Sequence, residues 1–437
     1  MRIAIITENF LPKVDGVTRT LARLLEHLNA NDHQVLVLGP ESGMTEYAGA
    51  ELMGTTGIPF PPYPELKLNF WRSGFTRRLI DFAPHVIHLV DPCWLGAVGL
   101  AVIRYYLPKT ALVSSYHTNL ATYCTHFGYN FLAPTMWKWN RFCHSFSRYV
   151  MCPSQSTRRI LRQRGFENVR IWPRGIDVHQ FSPTRRSLAL QQSWTTTTTT
   201  TSNDKIILLY VGRVSFEKNI GLVLDAYKQM DHSRCHLVIV GHGPAFDEIQ
   251  AECQRTHTPV TWTGYLQGDA LAAAYASADI FAFASTTETF GQVVLEAMAS
   301  GLPVAGLWAE GVCDLVDHGT TGLLLDTTGL SRKEQCDRYH QQLDSLVQNK
   351  EMRLRMGQAA VDKARQYTWW EAMECVVRTY RDASNSQYPS SSNNDLCHDD
   401  SGVEEDCCLS DHLNADTKSS CQHNNNNNNN DILILVD

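Results

Sequence analysis

Short apolar runs alternate with helix-period patterns twice along this chain of 437 residues, and the alternation stops and restarts across one polar stretch. Arg2–Thr7 is a continuous apolar run, and Gly16 to Leu28 follows with apolar residues at Val17, Leu21, Leu24, Leu25 and Leu28, the spacing of a helix. Gln34–Gly39, His85–Val90 and Thr110–Tyr116 repeat the strand reading. Strands separated by helices imply a doubly wound parallel sheet. The polar stretch Arg185–Asp204 contains the threonine run Thr195–Thr201, has no hydrophobic periodicity and reads as a flexible insertion. Beyond it, Lys205–Val211, Cys235–Gly241 and Asp279–Ala284 read as strands, and Ile220–Met230, Ala245–Thr256 and Gln292–Ser300 as helices. Two helical patterns, 331–349 and 351–384, close the folded part. The expected organisation is an α/β domain over 1–184, an insertion over 185–204, a second α/β domain over 205–365, a helix over 366–384 and a disordered acidic, Asn-rich tail over 385–437.

Charge is unevenly spread. Residues 385–437 hold ten Asp or Glu against one Lys, a charge of −9; the whole chain carries −7, so the remaining 384 residues carry about +2. From Pro92 to Phe166 there is no acidic residue against nine basic ones. No run of 18 apolar residues exists to span a membrane. The first strand begins almost at Met1, so no leader segment is expected ahead of it. Thirteen cysteines lie at irregular spacing, the pattern of free thiols in a reducing, cytoplasmic compartment, and none has the paired spacing of a zinc site.

Parallel sheets bind ligands where strand ends lead into helix N-termini. Four such loops stand out. In Asn9–Gly16, Gly16 allows close backbone approach to an anion at a helix start. In Val211–Asn219, Gly212 permits tight passage, and Arg213 with Lys218 can neutralise a diphosphate and stabilise it as a leaving group. Gly241-His-Gly-Pro244 specifies a turn more than a ligand. In Ser285–Gly301, Glu288 lies in the loop, Phe290 and Gly291 mark the turn into a helix, and Glu296 lies about a turn inside it, where a carboxylate can grip a ribose diol. A lone helical Glu is commonly a solvated surface residue, but Val293, Val294, Leu295, Ala297 and Met298 leave no polar face around this one. His117, after the strand Thr110–Tyr116, can hydrogen-bond a sugar or its phosphate, or be a satisfied structural histidine.

With Arg213 and Lys218, Glu288 and Glu296, and His117 in this arrangement, residues 1–384 resemble the retaining glycosyltransferases of family 4. The spacing of Glu288 and Glu296 matches the family's E-x7-E motif, and VGR…EKN its diphosphate loop. Asp15 stands where the family pattern often has a second glycine, so only Gly16 carries over. The resemblance implies a GT-B fold, two Rossmann-like domains facing a cleft. It also implies a nucleotide-sugar donor, no metal, and acceptor attack on the face from which the diphosphate leaves. In that scheme Arg213 and Lys218 stabilise the departing charge while Glu288 and His117 position the sugar. Gly16, Gly212, Phe290, Gly291 and Glu296 would complete the donor site. FLPKVDGVTRT, PPYPELKL at 61–68, SYHTNLATY and WPRGIDVHQFSP are similar to the branch that passes sulfoquinovose from a UDP donor to diacylglycerol. The GDP-mannose-dependent α-mannosyltransferases share much of this pattern, and the sequence does not separate uracil from guanine recognition.

A lipid acceptor would account for the acid-free segment. Met136–Val150 sets Trp137, Trp139, Phe142 and Phe146 among Lys138, Arg141 and Arg148, a composition suited to peripheral contact with an anionic bilayer. Helical spacing at Trp139, Phe142, Cys143 and Phe146 fits an amphipathic core helix equally well. No recognition motif for nucleic acid accompanies the charge.

Overall fold

The computed structural model describes residues 1–12, 16–60, 63–126, 128–195 and 205–385. Asp15, part of the 61–68 run, the threonines after Thr195, and the tail with Cys407, Cys408, Cys421 and Ile432–Val436 lie outside the described residues.

The N-terminal half is built on an eight-stranded sheet. Its order is Val169–Ile171, Tyr149–Cys152, Ala111–Ser115, Val86–Val90, Arg2–Thr7, Gln34–Pro40, Ala50–Thr55 and Glu46–Tyr47. All neighbours are parallel except the last pair. The continuous apolar strands follow from burial on both faces. In Arg2–Thr7, Ile3 and Ile5 enter one core while Ala4 and Ile6 enter the core on the opposite face. The second half has six parallel strands, ordered Val260–Gly264, Cys235–Val240, Ile206–Val211, Ile280–Phe283, Val304–Leu307 and Gly322–Leu325. Strand order reverses beside Arg2–Thr7 in the first sheet and beside Ile206–Val211 in the second, so each sheet opens its ligand crevice there.

The chain crosses between the halves twice. Trp172 belongs to the first core and Ile176 to the second. The return crossing divides the pattern over 351–384 into two helices. Lys350–Ala364 packs Met356, Ala360 and Ala364 into the second core, whereas Trp369–Asn385 packs Met373, Val376, Val377 and Tyr380 into the first. The two crossings lie side by side. The Ile176 amide donates to the Tyr367 carbonyl at 2.9 Å, and a Cβ on Gly175 would fall 2.3 Å from the Trp369 nitrogen.

The stretch read as a flexible insertion is partly helical. Leu188–Thr195 forms a helix whose Trp194 enters the second core, and Arg186 pairs with Asp279 at 2.8 Å. The buried Trp194, the partly buried Leu190 and polar contacts such as that of Gln191 with Asp279 at 3.3 Å anchor it, too few apolar positions to produce a periodic pattern.

Candidate active site

The strands Ile206–Val211 and Ile280–Phe283 are neighbours, so the loops that follow them meet. Lys218 Nζ lies 2.6 Å from Glu288 Oε1 and 3.2 Å from Thr287 Oγ1, and Ser285 Oγ donates to the same carboxylate at 3.0 Å. Tyr210 OH fixes the other side of the basic loop by donating to the Arg213 carbonyl at 3.0 Å. The structure thus brings Lys218 and Glu288 into contact, with Arg213 on the same loop. The glycines of Gly241-His-Gly-Pro244 serve packing: a Cβ on Gly243 would fall 2.4 Å from the Val214 carbonyl oxygen, and one on Gly241 would fall 2.0 Å from that of Gly212.

Gly291, at φ 95°, caps the helix Gln292–Ala299, and Phe290 is buried against Tyr367. Glu296 is buried. Tyr275 OH donates to its Oε2 at 3.0 Å, and Arg19 reaches its Oε1 at 3.4 Å from the N-terminal half. Burial pushes its pKa up to about 7, against the pull of the Arg19 charge and the Tyr275 hydroxyl. Arg19 lies one turn into the helix Gly16–Ala30, so the start of that helix faces the Glu296 carboxylate. A Cβ on Gly16 would meet nothing within 4 Å, so crowding inside the protein does not account for glycine there.

His117 lies at the junction, but its ring is committed to the protein. Arg174 donates to Nδ1 at 2.5 Å, and Nε2 is 2.8 Å from Ser115 Oγ. A guanidinium can only donate, so Nδ1 is unprotonated and Nε2 carries the hydrogen toward Ser115. The Ser115 hydroxyl is then free to donate to His88 Nε2 at 2.8 Å, and His88 Nδ1 to donate to Tyr380 OH at 2.7 Å. Burial, reinforced by the Arg174 charge, holds the His117 pKa well below the usual range, so the ring is neutral. It is the His117 main chain that reaches the other half, its carbonyl accepting from Thr289 Oγ1 at 2.7 Å. Its amide donates to Asp91 at 2.6 Å. Neither ring nitrogen is left over for a sugar, unlike the arrangement in which the imidazole itself faces one.

Several residues at the junction were not singled out from sequence. Glu310 accepts from Thr157 Oγ1 at 2.6 Å and Asn119 Nδ2 at 3.3 Å, and Asp314 accepts from the Ser156 amide at 2.9 Å and its hydroxyl at 2.5 Å. Gln292 donates to the Gly175 carbonyl at 3.1 Å. Glu8 caps the turn into Leu95–Tyr106, accepting from the amides of Trp94 at 2.7 Å and Gly96 at 3.1 Å. Glu8, Asp91 and Arg174 all stand just beyond strand ends, the position that singled out His117. Glu310 stands as far beyond the strand Val304–Leu307 as Arg174 does beyond Val169–Ile171, whereas Arg19 carries no such mark, since only contact between the halves gives it a role. Among the described residues no group of three or more His, Cys, Asp or Glu could hold a metal ion, and no helix is long and apolar enough to cross a membrane.

Two doubly wound halves that meet at their strand ends, with a lysine–glutamate pair and the buried Glu296 at the junction, define a glycosyltransferase of GT-B architecture. Residues 14–180 match the family model described as Glycosyltransferase Family 4, and residues 197–363 match Glycosyl transferases group 1. The GDP-mannose-dependent alpha-mannosyltransferase of Corynebacterium glutamicum is 35% identical over 332 residues, 75% of this chain and 77% of that protein. Sulfoquinovosyl transferase SQD2 of Arabidopsis thaliana is 29% identical over 377 residues, 84% of this chain and 71% of that protein. Alpha-monoglucosyldiacylglycerol synthase of Streptococcus pneumoniae is 27% identical over 316 residues, 70% of each. Anabaena Alr3699/HepE in complex with UDP shares the fold with a TM-score of 0.67 at 18% identity, covering 87% of this chain and all of that one. The chain belongs to the family 4 glycosyltransferases.

Proposed function

We propose that this enzyme transfers a hexosyl group, with retention of configuration and without a metal, from a nucleotide sugar to a lipid, and that the pair is UDP-sulfoquinovose and diacylglycerol. The observation that carries the transferase site is the contact of Lys218 with Glu288. It joins the basic loop to the E-x7-E loop, so one cation can exchange a carboxylate for a donor diphosphate. In the reaction the anomeric C–O bond breaks, the electron pair leaves with the diphosphate, and the acceptor hydroxyl attacks from the same face, its proton passing to a phosphate oxygen. Lys218 and Arg213 stabilise the departing charge. Glu296 holds the ribose diol, the amides near Phe290 and Gly291 hold sugar hydroxyls, and Gly16 gives the phosphates room at a helix start. Gly212 shapes the basic loop. His117 acts through its position, its main chain fixing the Thr289 loop.

The lipid acceptor is supported by the acid-free segment. Trp139 and Phe142, on the helix Ala133–His144, are 39% and 52% exposed and stack with ring centroids 5.9 Å apart, a face suited to a bilayer, while Trp137, Cys143 and Phe146 pack into the protein. Tyr105 and Phe131 are more exposed still. The similarity to SQD2, over 84% of this chain, supports sulfoquinovose. A second reading, GDP-mannose as donor, is favoured by the higher identity to the corynebacterial mannosyltransferase.

The test incubates purified protein with diacylglycerol in anionic or neutral vesicles and each of the two donors, following nucleotide release. UDP release from UDP-sulfoquinovose, faster on anionic vesicles, is expected. Turnover of GDP-mannose alone would replace the donor assignment, and equal rates on both vesicles would remove the role of membrane charge.

A further inference from the structure

One buried charge at the junction has no counter-ion in contact. Arg174 follows the strand Val169–Ile171 and is 6% exposed. Its guanidinium donates to the carbonyls of Trp172 at 3.0 Å and Pro173 at 3.4 Å and to neutral His117, and it lies 5.0 Å from the centre of the Trp172 ring. Those partners satisfy hydrogen bonds without neutralising charge. Among the described residues no carboxylate forms an ion pair with it. Asp91 is the carboxylate whose charge reaches it, and Asp91 is occupied by the amides of His117 and Thr118 and the Thr118 hydroxyl. A guanidinium buried in this way is costly unless an anion completes it.

Its surroundings show where that anion would come from. The carbonyls of Gly175, its chain neighbour, and of His117, its hydrogen-bond partner, accept from Gln292 and Thr289. The chain neighbour and the hydrogen-bond partner of Arg174 are therefore both tied to the loop that opens Gln292–Ala299, whose start is the positive end of a helix. The fork of a guanidinium matches the oxygens of a phosphate or a sulfonate.

We propose that Arg174 is an anion-binding residue of the donor site, receiving anionic oxygens of the nucleotide sugar: the donor's phosphate, or the sulfonate of the transferred sugar. The proposal rests on the donor reading above, and the test separates the two. Calorimetry on the full chain measures binding of UDP, UDP-glucose and UDP-sulfoquinovose, with GDP and GDP-mannose alongside, to the wild type, Arg174→Gln and Arg174→Lys. Binding of only the guanine ligands by the wild type replaces the donor and leaves Arg174 to be judged on those ligands. If the anion is phosphate, Arg174→Gln weakens every ligand, the bare nucleoside diphosphate included, by about tenfold or more. If it is the sulfonate, the same loss falls on UDP-sulfoquinovose alone. Arg174→Lys, which keeps the charge and loses the fork, is expected to weaken the same ligands by about threefold or more. Unchanged binding of every ligand by a folded Arg174→Gln overturns the proposal. Should that variant not fold, unchanged binding by Arg174→Lys does so.

Discussion

A carboxyl group buried in the protein is denied the hydration that would favour its ionised form in water, and among the described residues the Tyr275 hydroxyl and Arg19 offset that loss for Glu296. Its pKa therefore rises from 4.5 to about 7, with burial the larger effect. The folded chain holds this proton more tightly than the unfolded chain, so the stability associated with it is present at acid pH. That stability is lost as pH rises from about 4.5 to about 7, and the dependence flattens above that window. A shift of this size corresponds to ~3 kcal/mol. Glu296→Gln, which cannot ionise, lacks the dependence. Urea unfolding at about pH 4.5 and about pH 8 should show the variant gaining on the wild type by up to that amount. A gap that does not change with pH would show that Glu296 ionises in the fold as easily as in water. The same substitution is expected to weaken donor binding, because a carboxamide holds a diol less well than a carboxylate.

Loops at the junction are shaped by backbone packed on backbone, which glycine alone permits. Gly311 sits at φ 73°, and a Cβ there would fall 2.7 Å from both the Glu288 carbonyl oxygen and the Phe290 nitrogen. Gly319 has a similar φ of 82° with nothing within 4 Å of its added Cβ. Alanine at either position strains the backbone by roughly 1–3 kcal/mol, but only at 311 must it also push the Glu288 loop. Gly311→Ala should therefore lower the melting temperature more than Gly319→Ala and reduce turnover as well. Equal melting shifts with equal turnover would show that the contact gives way freely. Such packing explains what the sequence leaves hidden. Strands buried on both faces, such as Ile206–Val211, are legible because every residue is apolar, and Lys218 and Glu288 are legible from their motifs. Arg19, Arg174 and Glu310 act through partners 277, 57 and 153 residues away, and no local pattern encodes such pairing. The helix Leu188–Thr195 is hidden for a related reason: its one buried anchor, Trp194, docks on strands that come later in the chain.

The two halves meet mainly through polar contacts, whereas each half has an extensive apolar core of its own. Polar contacts between domains are individually weak and permit relative motion, and the adjacent crossings at Gly175–Ile176 and Tyr367–Trp369 supply a natural pivot. Away from that pivot, Glu310 and Asp314 gather the hydroxyls of Thr157 and Ser156 and the Asn119 amide. At about 1 kcal/mol net for each of their four hydrogen bonds, that from the Ser156 amide included, these carboxylates contribute roughly 4 kcal/mol to the joined arrangement, a factor of roughly a thousand in population. Neither residue belongs to the apolar core of the second half, so replacing both should open the junction without melting that half. In small-angle scattering the Glu310→Ala, Asp314→Ala double variant should show a larger radius of gyration than the wild type, and saturating donor should bring the two profiles together. Donor bridges both halves in the proposed site, from Gly16 on one side to Lys218 and Glu296 on the other, so its binding energy can replace the lost contacts. A donor-free profile identical to the wild type would mean that the remaining contacts, among them those from Thr289 to His117, from Gln292 to Gly175 and from Arg19 to Glu296, hold the halves together.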